Sequence, residues 1–105
     1  MVEIHRRCQR EIKDWPLSVR EDLADAVARL EQGHSLSMPL SRPMPSIGAG
    51  VHELRLRDRT GAYRVIYAIM TKAGVALLHA FKKTTEKTPQ KNIEIAEARL
   101  KEMAK

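Results

Sequence analysis

The stretch 77–89, LLHAFKKTTEKTP, begins as an apolar run holding His79 and turns cationic at Lys82 and Lys83. Upstream, Arg55 and Arg57 alternate with Leu54 and Leu56, and Arg64 interrupts the otherwise apolar AYRVIYAIM. A guanidinium fork grips two oxygens of one phosphate, and lysine adds a point charge. RNA carries its own nucleophile, the 2′-hydroxyl. A protein that cleaves it needs only to position the chain, move protons and stabilise developing negative charge. A general acid or base adds roughly 10²–10⁴-fold to the rate, and a lysine can share that work when neighbouring cations lower its pKa. Arg55, Arg57, Arg64, Lys82, Lys83 and His79 are thus candidates for phosphate chemistry, and Lys87 and Lys91 continue the basic segment.

Plainer roles exist for each. Arg55 and Arg57 can pair with Glu53 or Asp58, and Lys82-Lys83 can be a solvated strand exit. His79, sharing strand parity with Leu77 and Phe81, fits a satisfied core histidine. Tyr63 and Tyr67 lie opposite Arg64 and read as packing residues, and Trp15 reads as an anchor between the first two helices. Arg64 is the hardest to dismiss, because an unpaired cation in a central strand is costly to bury. Other chemistries find no support. His5-Arg-Arg-Cys8 has a ligand-like spacing without a second pair, so no metal is expected. Gly48-Ala-Gly50 lacks the lysine-serine pair and the helix of a phosphate-binding loop. No nucleophile elbow and no paired acids stand on the cationic strands, and no cofactor is called for.

The chain has 105 residues, which suits one domain spanning 1–105. Hydrophobic residues make up 43% and aromatics 4%, so a core exists and is mainly aliphatic. The net charge is +6, and it is localised. Residues 51–92 hold nine Lys/Arg against three acids, and nine minus three accounts for the whole excess. A field concentrated in this way attracts polyanions. A single cysteine, Cys8, leaves no internal disulfide and fits a reducing compartment. MVEIHRRCQR lacks the apolar core of a signal peptide, and no run approaches a membrane span, so a cytoplasmic protein with no membrane partner is expected.

The elements that must position the cations follow from periodicity. Val2 and Ile4 suggest a short strand. Cys8, Ile12 and Trp15 follow at helical spacing, and Pro16 ends that helix. Ser18-Val-Arg-Glu21 is a capping-box pattern before the stripe Val19, Leu23, Ala26, Val27, Leu30, which Gly33 stops. Residues 34–50 read as a long loop. Strands are expected over 51–57, 62–70 and 75–81, joined by turns at Asp58–Gly61 and Thr71–Gly74 as an antiparallel meander. The middle strand is apolar on both faces. Pairing then sets Arg64 beside Arg57 on one flank and the Phe81–Lys83 end on the other. Thr88-Pro89 opens a last helix, with threonine as N-cap and Ile93, Ala96, Leu100 and Met103 as its buried stripe. The fold class is α+β: an N-terminal helical hairpin on a curved antiparallel sheet, in the order β-α-α-β-β-β-α, with helices covering one face.

VHELRLRDRTGAYRVIYAIM, LLHAFKKTTEKTP and KNIEIAEARLKEM, with the front hairpin ending in Trp-Pro, resemble the RelE/ParE toxin superfamily, and within it the phage-derived HigB-type toxins. The resemblance covers nearly the whole chain. It implies the RelE-like fold, a type II toxin, and ribosome-dependent cleavage of messenger RNA. It also implies a cognate antitoxin, often a helix-turn-helix, HigA-like repressor, through which alone operator DNA would be met. On that pattern Arg55 and Arg57 match backbone-contacting positions, Arg64 the arginine of transition-state charge, and Lys83 with Lys82 the basic end of the last strand. Many relatives place a tyrosine after that strand, and residues 82–92 contain none. The proton-transfer role is therefore open among Lys82, Lys83, Lys87 and His79. A ParE-like inhibitor of DNA gyrase and a non-catalytic nucleic-acid-binding regulator are the competing readings.

Overall fold

Strand β1 (Val2–Ile4) is followed by helices α1 (Arg6–Lys13) and α2 (Leu17–Glu31). Strands β2 (Ser41–Pro43), β3 (Val51–Asp58), β4 (Gly61–Met70) and β5 (Gly74–Lys83) come next, and helix α3 (Gln90–Met103) closes the chain. The computed structural model describes residues 1–70, 74–84 and 87–103. The turn expected over Thr71–Gly74 lies, apart from Gly74, outside the described residues.

The five strands form one mixed sheet in the order β1-β5-β4-β3-β2. Strands β3, β4 and β5 make the expected antiparallel meander, and β1 adds to β5 in parallel. One strand lies inside the segment expected to be loop. Ser41, Arg42 and Pro43 pair with Leu54, Glu53 and His52, and the Ser41 and Tyr67 hydroxyls share a hydrogen bond of 2.6 Å. Pro43 is tolerated because β2 is an edge strand, where a missing N–H breaks no ladder. Gly74 has φ +88, and a Cβ there would collide with the Met1 carbonyl oxygen where β1 joins β5.

The helices divide between the two faces of the sheet instead of covering one. Helices α1 and α2 set Cys8, Trp15, Val19, Leu23, Ala26 and Leu30 on Leu54, Leu56, Tyr63, Val65 and Tyr67. Helix α3 sets Ile93, Ala96 and Leu100 on Val51, Ile66, Ala68 and Leu78 of the opposite face. The cause is β4 itself: buried from Tyr63 to Ala68, it needs apolar cover on both sides.

A bulge in β5 decides where His79 goes. Ile66 pairs with His79 but Tyr67 pairs with Leu77, so Leu78 is an extra residue and the side-chain alternation shifts there. Leu77 faces the α1–α2 core, while Leu78 and Phe81 join the α3 core. Simple parity, which groups His79 with Leu77, fails at this point. Two caps also differ from expectation. Helix α2 starts on Pro16, whose carbonyl accepts from Val19 and Arg20 N–H at 3.1 Å, so Ser18 already lies inside the first turn and caps nothing. At α3 the Pro89 carbonyl takes the Asn92 and Ile93 N–H groups, and the Thr88 hydroxyl turns to Glu53.

Candidate functional site

Strand pairing fixes which cations share a face. Side chains directly opposite in an antiparallel pair point the same way. Arg55 pairs with Arg64, and Arg64 with Phe81; Arg57 pairs with Ala62, and Ala62 with Lys83. Arg55, Arg57, Arg64 and Lys83 therefore stand on one face, with Arg64 opposite Arg55 and not Arg57. Arg42, paired with Glu53, belongs to the same face. Strand β2 is short and leaves the far half of β3 uncovered. There a cleft of about 340 Å³ opens, lined by Pro39, Leu40, Arg55, Leu56, Arg57 and Arg64.

Arg64 is buried, 7% exposed, and lies toward the β3 edge. Its Nη1 donates to the carbonyls of Tyr63 at 3.1 Å and Leu56 at 3.4 Å. Its Nε stands 3.8 Å from Glu53 Oε1, close enough for charge attraction and too far for a hydrogen bond. Both atoms are buried and lack a hydrogen-bond partner among the described residues. Burial lowers the affinity of Arg64 for its proton, Glu53 opposes that shift, and Arg55 and Arg57 add to it. Lys83 is half-buried and shifted below the usual lysine value, first by burial and then by Arg64, with Arg55 and Arg42 adding and Glu53 opposing. Among the described residues, Arg55, Arg57 and Lys83 have no carboxylate within ion-pair distance; Arg55 reaches only the Met38 sulfur, at 4.0 Å.

Two expected members do not join this group. Lys82, one residue from Lys83, is turned by the pleat to the other face, where its ammonium lies 5.7 Å from the Tyr63 ring centre. His79 is 4% exposed and committed elsewhere. Its Nδ1 meets both Glu11 oxygens at 3.1 Å and its Nε2 meets Asn92 Oδ1 at 2.7 Å. Lys87 lines a separate cleft with Arg42, Met44 and Thr88, and Lys91 is exposed on the first turn of α3.

The His79 network closes on itself. Arg99 grips Glu11 with both terminal nitrogens, at 2.8 and 3.0 Å, and donates to the Leu78 carbonyl at 3.0 Å. Glu11 also accepts the Ala80 N–H at 3.1 Å. These side chains satisfy the edge of β5 beyond the short β1. Burial pushes the Glu11 carboxyl up, but hydrogen bonds from His79, Arg99 and Ala80 outweigh it and hold it at about 2. Burial, with Glu11 beside it, pushes the Cys8 thiol up to about 12, so this cysteine is inert packing.

Sequence reading missed Glu53, Thr88 and Arg42 as parts of the site, and Glu11 and Arg99 as partners of His79. Glu53 had a signal: it shares strand parity with Arg55 and Arg57, so it had to lie on the cationic face. No helix among the described residues is long and apolar enough to cross a membrane. Residues 10–101 match the family described as Phage derived protein Gp49-like (DUF891). A search of curated proteins finds no match to the chain.

Proposed function

The chain belongs to the phage-derived Gp49-like family, RelE-like and toxin-like in type, and from that premise we propose that it is a HigB-type toxin that cleaves messenger RNA without a metal. The observation that carries this reading is the meeting of Arg55, Arg57, Arg64 and Lys83 on one open sheet face, with no carboxylate among the described residues hydrogen-bonded to any of them.

In the proposed reaction the 2′-hydroxyl oxygen attacks the adjacent phosphorus and the bond to the 5′-oxygen breaks. The 2′ proton passes to solvent in the open cleft. Arg64, with Arg55, stabilises charge on the non-bridging oxygens, where preorganised donors act most strongly. Lys83 protonates the departing 5′-oxygen, since burial and then Arg64 already lower its hold on its proton. Arg57 holds the flanking backbone, with Lys87 and Lys91 as further contacts. Lys82 and His79 have no part in it. The messenger is met on the ribosome, and a helix-turn-helix antitoxin of HigA type neutralises the toxin and supplies any contact with operator DNA.

The test is to express the parent, Arg64→Ala and Lys83→Ala, and to map cut sites in translated transcripts. The parent should arrest growth and cut messages, and both variants should fold and relieve the arrest. Arrested growth beside intact messages would replace this reading with gyrase inhibition, for which induction of the DNA damage response is the marker. RNA binding without any cuts would leave a non-catalytic regulator.

A further inference from the structure

Glu53 stands beside Arg64 and takes no part in the reaction above. It is completely buried on the sheet face that carries Arg55 and Arg64. A carboxylate withdrawn from water is costly unless partners surround it. Here one oxygen, Oε2, accepts the Thr88 hydroxyl, and the other, Oε1, faces Arg64 Nε across 3.8 Å with neither atom hydrogen-bonded.

A guanidinium has five N–H groups. Those of Nη1 are taken by the Leu56 and Tyr63 carbonyls, and Nε stands 3.8 Å from Glu53 Oε1 without a hydrogen bond. Nη2 has no hydrogen-bond partner among the described residues; one of its N–H groups lies alongside that of Nε and the other extends from the outer end of the fork, and Arg64 lines the cleft. A purely structural pair would close, as Arg99 and Glu11 do at 2.8 and 3.0 Å. Leaving two buried polar atoms apart suits a fork that is held in place yet still available to a ligand.

We propose that Glu53 is a positioning residue: its buried carboxylate keeps the Nε side of Arg64 inward so that the outer N–H of Nη2 meets the RNA phosphate, and Thr88 ties that carboxylate to the start of α3. The inference rests on the reading of the cleft as an RNA site. A bound phosphate displaces water, and the inner charge pair strengthens as screening falls. The segment leading into α3 is thereby coupled to the aim of Arg64.

Glu53→Gln tests this, because it keeps the shape and an acceptor for Thr88 while removing the charge. Single-turnover cleavage should slow by roughly tenfold, less than the 10²–10³-fold expected when a charge-stabilising donor is lost outright. Affinity for a 2′-O-methyl oligonucleotide, which cannot be cut, should change by less than about threefold, since only transition-state interactions suffer. Thr88→Val should give a smaller loss of the same kind. In an Arg64→Ala background Glu53→Gln should add nothing, the mark of two residues acting as one. Amide-type NMR of labelled protein gives a readout that needs no RNA: the Arg64 Nε–H should exchange faster in Glu53→Gln. Unchanged exchange overturns the inference, as does a variant whose rate, affinity and melting temperature all fall together. A parent that cuts no RNA defeats the reading of the cleft instead, and the exchange rates still decide whether Glu53 holds Arg64.

Discussion

Two clusters of charge lie along β5, one around His79 and one around Lys83. In the first, Glu11, His79, Asn92 and Arg99 meet at 2.7 to 3.1 Å and join α1, β5 and α3. In the second, Arg55, Arg57, Arg64 and Lys83 repel one another, and the nearest ion-pair partner, Glu53, stands off at 3.8 Å. Four positions separate His79 from Lys83 on the same strand. A matched network adds cohesion and leaves nothing for a ligand to gain. An unmatched cluster weakens the fold a little and holds that interaction energy for an incoming anion. On the proposed function, stability falls to the first region and recognition to the second.

The comparison breaks if the closed network is dispensable. Arg99→Ala leaves the Glu11 carboxylate and the Leu78 carbonyl without their main donor. Arg99 is buried but Glu11 only half-buried, so breaking the pair costs about 3 kcal/mol, the lower end of the range for a fully buried pair. Denaturant unfolding should show a loss of that size, against less than about 0.5 kcal/mol for Arg57→Ala on the exposed part of the cleft. Acid should act on the same network. Glu11 is held at about 2 against an ordinary value of 4.5, so its folded state releases the proton more readily than the unfolded chain. Its contribution is complete above the unfolded value and fades as pH falls from 4.5 toward 2. Glu11→Gln should flatten stability across that window.

Next in size is the proton-transfer role proposed for Lys83. Lys83→Ala should slow cleavage by roughly 10²-fold or more, the lower end of what a general acid supplies. Because burial and neighbouring cations depress its pKa, the alkaline limb of the rate profile should fall below the ordinary lysine value of 10.5. The acid form is the active one, so activity is lost as pH rises through that limb. Arg55→Ala removes one of the repelling cations and should move the limb upward. A limb that ignores Arg55 would separate Lys83 from the cluster.

Much of this contrast was legible in the sequence, and what was not has identifiable causes. Alternation in 51–57 placed Arg55, Arg57 and Glu53 on one face, because period-two patterning survives wherever a strand is regular. The pairing partner of Arg64 came out two residues off, since turn length alone leaves register loose until both strands are seen. Parity grouped His79 with both Phe81 and Leu77; Phe81 does stack on it at 5.3 Å, but the bulge at Leu78, which leaves no mark on hydrophobic pattern, turns Leu77 to the other face. Arg99 was invisible for another reason. It follows Ala96 at helical spacing on the buried side of α3, where a stripe of Ile93, Ala96 and Leu100 draws attention to its apolar members only. Thr88 was taken as a helix cap; a buried carboxylate from β3 competed for its hydroxyl and won. The expectation of helices on one face overlooked what β4 implied, since a strand apolar on both sides needs cover on both.

Smaller effects sharpen the boundary of the cleft. Removing one cation that touches a phosphate should reduce the slope of log affinity against log salt by about 0.7 for single-stranded RNA. Arg57→Ala, and separately Arg42→Ala, should each show that decrement at most, with cleavage at saturating RNA little changed. A variant that alters rate without altering the salt slope would belong to the chemistry and not to backbone binding.

The smallest expected effect is the most discriminating between neighbours. Lys82 and Lys83 have the same side chain and adjacent positions, so charge and composition treat them alike. The pleat does not: Lys83 faces Arg55 and Arg64, and Lys82 lies over Tyr63. An exposed ammonium over the ring of the buried Tyr63 contributes about 0.5 kcal/mol. Lys82→Ala should therefore cost about that much in stability and leave the cleavage rate and its pH profile where they were. If Lys82→Ala instead slows cleavage as much as Lys83→Ala, then net positive charge at the end of β5 is what matters. The geometric distinction between a recognition face and a packing face would then fail at the one place where two identical residues test it.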